Sequence, residues 1–92
     1  MAESGFEAAL DPPARRLYEL LDPEDQRIID GILADLEANP YPDGRRTFLL
    51  AEVPERVAFY AHPRWWVLYR LAEPGHVAIT AIAPPLSPPE GA

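Results

Sequence analysis

The chain contains no cysteine and no lysine, and only two histidines. Without thiols there is neither a disulfide framework nor a thiolate metal site. His62 and His76 alone are too few for most zinc sites, so no metal and no cofactor is expected. No apolar run approaches the ~20 residues that span a bilayer. The opening MAESGFEAAL lacks the basic-then-apolar order of a secretory signal. A cytoplasmic protein with no membrane partner is the expectation. What remains is 92 residues, 48% of them hydrophobic. That length and composition suit one globular domain with a modest core. The domain is expected over residues 1–84, and residues 85–92 read as a proline-rich flexible tail.

The net charge is −7, and all eight basic side chains are arginines. The charge is unevenly spread. Residues 1–44 hold eleven carboxylates against three arginines, whereas residues 45–73 hold five arginines against three glutamates. An acidic total repels nucleic acid at long range, so the charge disfavours a nucleic-acid partner. The mildly basic centre keeps one possible.

Phe6 to Leu10 alternates weakly and predicts a short strand. Asp11-Pro12-Pro13 is a helix start, since aspartate can cap and proline at the first position sacrifices no hydrogen bond. Asp22-Pro23-Glu24-Asp25 repeats the device. The spacing predicts helices over 12–21 and 23–38. Leu17, Leu20 and Leu21 form one apolar face, and Ile28, Ile29, Ile32, Leu33 and Leu36 form the other. With almost no linker between them, the helices form an antiparallel hairpin. Thr47 to Leu50 reads as a short strand or an apolar plug. Val57 to Ala61, Trp65 to Leu71 and Val77 to Ile82 read as strands joined by turns, an antiparallel meander. The fold class is α+β: a short N-terminal strand and a helical hairpin packed on one face of the meander.

Side chains alternate across a strand. Trp65, Val67, Tyr69 and Leu71 are the expected core set, facing Leu17, Leu20, Ile28, Ile32 and Leu36. On the preceding strand Val57, Phe59 and Ala61 are expected inside. The open face then carries Arg56, Tyr60, Trp66 and Arg70, the predicted partner-binding residues. This mixture suits RNA, whose bases stack on aromatic rings and guanidinium groups. It equally suits a protein partner, since Trp, Tyr and Arg dominate interface hot spots. Arg45 and Arg46 are candidates for gripping phosphate, and Glu52 or Glu55 for a general base. Solvated arginines and ion pairing with Arg56 are the plainer readings. His62 and His76 read as exposed turn residues.

The layout resembles the RelE/ParE superfamily of toxins from type II toxin–antitoxin modules, over about residues 5–85. Three patterns carry the resemblance: a helix ending in ANPYPDGRR, the strand PRWWVLYRL and the closing strand HVAITAIAPP. It implies the strand, helical hairpin and meander in that order, and an antitoxin as partner. In the ribosome-dependent RNases of the family an arginine on the penultimate strand holds the scissile phosphate. Trp66 takes that place and carries no charge to stabilise a phosphorane. The family's catalytic group near the end of the last strand falls at Pro84-Pro85, which exchanges no proton. The resemblance therefore implies a protein that works by binding an antitoxin, and a target such as gyrase, without nuclease activity. Two alternatives stand beside it. One is a messenger-RNA endoribonuclease using Arg45, Arg46, Arg56 and Arg70 with Glu52 or Glu55. The other is a non-toxic descendant that keeps the fold for binding.

Overall fold

The structure, a computed structural model, describes residues 6–51, 57–71 and 75–85. Its elements are β1 (Glu7–Leu10), α1 (Pro12–Leu20), α2 (Pro23–Ala38), β2 (Thr47–Ala51), β3 (Val57–Ala61), β4 (Trp66–Leu71) and β5 (His76–Ala83). Both helices begin where the proline signals place them. Asp22 caps α2 by accepting from the N–H of Asp25 at 3.1 Å, whereas Asp11 makes no such side-chain bond to α1. Asn39-Pro40 ends α2 as expected.

The strands form one five-stranded sheet in the order β1-β5-β4-β3-β2. β2 to β5 are the antiparallel meander, and β1 adds to it in parallel beside β5. This mixed sheet with two helices against it is the expected α+β fold. The core lies between helices and sheet. Ala14, Ile29, Ile32 and Leu36 meet Ala58, Tyr60, Val67, Tyr69, Val77, Ile79 and Ile82. β5 keeps its apolar residues inward through a bulge. Leu68 faces Ala81 and Tyr69 faces Ile79, so Thr80 is the extra residue. Its hydroxyl donates to the Leu68 carbonyl at 3.3 Å. The one-residue shift brings Ile82 back onto the side of Val77 and Ile79.

Two assignments change. Leu20, expected in the core, is 78% exposed at the end of α1. The face of β3 is also inverted. Ala58 and Tyr60 are buried, while Val57, Phe59 and Ala61 lie on the other side. Pairing decides this. Ala58 stands opposite Tyr69 and Tyr60 opposite Val67, so they must share the face of the β4 core residues. Hydropathy alone favours Phe59 inside. The small Ala58 instead faces the bulky Tyr69, and Tyr60 satisfies its hydroxyl at the rim of the core by donating to Asp35 at 2.7 Å. A buried phenol needs such a partner.

Candidate partner-binding face

On the side of the sheet away from the helices, β2, β3 and β4 each contribute one large ring. Phe48 stands opposite Phe59 in the ladder. The two rings stack with centroids 5.3 Å apart and planes 28° from parallel. Phe59 then stacks on Trp66 at 4.7 Å and 23°. The result is a continuous aromatic ridge across three strands. Trp66 also faces Ala83, so the surface drops from indole to methyl on β5. Ala81 beside Leu68 and Ala78 beside Arg70 continue this low floor. All of these side chains are half-buried. No described element covers them.

The predicted partner-binding residues divide between the two faces. Trp66 and Arg70 lie on the open face. Tyr60 does not: it is 6% exposed and belongs to the core side. Arg56, Glu52 and Glu55 lie outside the described residues. Phe48 and Phe59 were missed as surface residues. The antiparallel register that pairs them with each other and with Leu68 was the signal that could have revealed them.

Arg45 and Arg46 are exposed, on a loop built by Asp43. The Asp43 carboxylate accepts from the N–H groups of Arg45 at 2.8 Å, Arg46 at 3.0 Å and Thr47 at 3.1 Å. These bonds, led by that from Arg45, hold its carboxyl far below the usual carboxylate range. Gly44 permits the turn with φ +76°. Arg46 is turned toward the helices. Its guanidinium pairs with Asp35 at 3.3 Å and lies 5.9 Å above the Tyr60 ring. Burial, and then the bond to Asp35, push the Tyr60 hydroxyl up from its ordinary pKa. Arg46 therefore holds the rim of a small polar cleft with Asp35, Tyr60 and Thr47. It is not directed at the aromatic ridge.

At the opposite corner of the open face, Glu7 and His76 are register partners on β1 and β5, and both are exposed. Ala78, two residues along β5, faces Arg70. A carboxylate, an imidazole and a guanidinium thus share one corner. Neither the Glu7 nor the His76 side chain is held by a hydrogen bond among the described residues. No group of metal-ligating side chains is found among the described residues, and no helix there is long and apolar enough to cross a membrane.

Two helices packed against one face of a five-stranded mixed sheet make a RelE-like α+β fold. The crystal structure of the RelBE2 toxin–antitoxin complex from Mycobacterium tuberculosis superposes with a TM-score of 0.72 at 18% identity, over 87% of this chain and 98% of that one. No family model matches the chain, and no curated protein does.

Proposed function

We propose that this is a toxin-type protein that acts by binding a protein partner, an antitoxin first, through the aromatic face of its sheet. The observation that carries the reading is the Phe48–Phe59–Trp66 ridge, which no described element covers, in a fold similar to one seen in a toxin–antitoxin complex. Stacked rings bury large apolar area at little entropic cost, which is why such residues anchor interfaces. The ridge itself has no charge to hold a phosphate and no group to move a proton. RNA cleavage needs both, with an acid and a base in reach.

The experiment expresses the chain under induction, with and without a small protein encoded beside it, and scores growth. Arrest relieved by the neighbour is the expected result. In purified form, Trp66→Ala weakens that complex by ~2 kcal/mol or more while the far-ultraviolet spectrum is unchanged. Unaltered affinity in a folded Trp66→Ala variant would overturn the reading.

The Glu7–His76–Arg70 corner favours a second reading, ribosome-dependent cleavage of messenger RNA. That reading requires transcripts cut on induction, and cutting lost in His76→Gln and Arg70→Ala. Intact transcripts during growth arrest exclude it.

A further inference from the structure

The end of β5 lies beside the aromatic ridge. β5 runs antiparallel to β4, so its last residues return to the start of β4, and Ala83 is the register partner of Trp66. Ala83 is on the open face, on the opposite side of the strand from the buried Ile82. Pro84 and Pro85 follow. They have no N–H with which to extend the ladder, so the chain leaves the sheet at the foot of the ridge. Pro84 is exposed, whereas Pro85, two residues past the strand, is still half-buried.

The sequence from that point has one strong conformational preference. It reads Pro84-Pro85-Leu86-Ser87-Pro88-Pro89, of which Pro84 and Pro85 are described and residues 86–92 are not. A proline holds its own φ near the polyproline II value, and the residue before a proline is pushed to the same region. Every residue of this run except Leu86 meets one condition or both. Pro85 and Pro88 are spaced as in the segments that dock on aromatic-lined surfaces as preformed polyproline II helices, with little ordering entropy left to lose.

The dimensions agree. With a rise of ~3.1 Å per residue and three residues per turn, Pro85 and Pro88 share one edge of such a helix about 9 Å apart. The rings of the ridge follow one another at 4.7 Å, from Trp66 to Phe59, and 5.3 Å, from Phe59 to Phe48. The proline spacing therefore covers roughly two ring steps. Ala83 and Phe48 lie three strands apart, which is ~14 Å. Residues 84–89 in polyproline II form reach ~19 Å.

We propose that residues 85–89 fold back over Trp66, Phe59 and Phe48 and are the ridge's own cover. This deepens the reading of the ridge as a binding face and rests on it: a partner on that face has to displace the segment. Prolyl rings on indole and phenyl faces need no charge, which suits a ridge that has none. Tethering sets the local concentration of the segment on the order of millimolar. A contact too weak to hold between separate molecules is thereby populated within one.

Proton NMR of the full chain, with no partner present, tests this. Nuclear Overhauser contacts should join the Pro85 and Pro88 rings to Trp66 and Phe59. The Pro88 ring protons should lie upfield of their free-chain positions, and neither signal should change on dilution. Both should be lost in Trp66→Ala and in Pro88→Gly combined with Pro89→Gly, each folded by circular dichroism. In the proline variant the Trp66 indole N–H should exchange faster with solvent. Residues 86–89 at free-chain shifts in the wild-type protein overturn the proposal. So do contacts that vanish on dilution, since these would come from a neighbouring copy, and upfield shifts that persist in folded Trp66→Ala. The two readings fail separately. Contacts seen in a chain that arrests no growth and binds no neighbour support the cover and remove the toxin reading. A neighbour bound at Trp66 in a chain whose residues 86–89 show free-chain shifts does the reverse.

Discussion

Tyr69 is the largest of the fully buried side chains, and its hydroxyl donates to the Pro40 carbonyl at 2.7 Å. That carbonyl lies just beyond α2, in the stretch where helix ends need outside partners. One phenol thus ties the end of the helix to the central strand. Tyr69→Phe removes the donor and leaves a buried carbonyl unpaired. A loss of about 1–2 kcal/mol in denaturant melts is expected. Burial also pushes the Tyr69 pKa from 10.0 up to about 12. The neutral phenol is the form the fold favours. This contribution is fully present below pH 10 and is lost as pH rises from 10 through 12. Stability of the wild-type protein should fall over that window, and the fall should be shallower in Tyr69→Phe.

Among the elements, α2 is the one most plainly written in the sequence. Its capping aspartate, opening proline, apolar stripe and Asn-Pro stop all act locally, so periodicity and capping chemistry locate it without knowledge of its neighbours. Ile32 lies on that stripe at 2% exposure. Ile32→Ala should lower stability by ~2–5 kcal/mol, measured by denaturant unfolding. β3 shows the converse. Its five residues are all apolar or aromatic, so either alternation makes an acceptable inner face. The choice rests on which β4 residues stand opposite, a long-range fact. The same gap hid the aromatic ridge, because Phe48 and Phe59 become surface neighbours only once the register is set. Trp66 and Arg70 were legible because β4 ends in a charge that marks its outer side. Thr47 to Leu50 could be read only as strand or plug, since its partner lies across a loop.

At the scale of the whole molecule, one ion pair joins the β3–β4 turn to the start of α2. Arg64 approaches Asp25 at 2.9 Å and Glu24 at 3.7 Å. The contacted Asp25 oxygen is buried and has no aligned hydrogen-bond donor, so charge rather than hydrogen-bond geometry holds the pair. The main-chain N–H of Arg64 donates to the His62 ring at 3.0 Å and fixes the turn from which the guanidinium reaches out. The Arg64 side chain is half exposed, which dilutes the attraction through water. Asp25→Asn should therefore lower stability by only about 1 kcal/mol, and added salt should erase most of the difference from wild type.

The parallel pairing of β1 with β5 joins Glu7–Leu10 to His76–Ile79, nearly the two extremes of the described chain. Such a contact closes a loop that encloses almost everything between. The helices and the β2–β4 hairpins need only neighbouring sequence, so they can form while β5 is still being synthesised. β1 cannot. Until β5 emerges from the ribosome, the opening segment has no ladder to join, and the helix packing that depends on Ile79 and Val77 is incomplete. Contacts of high sequence separation are gained late and slowly. The strand made after all the other described elements is thus the one that locks β1 in place, and the native sheet can appear only after translation of β5.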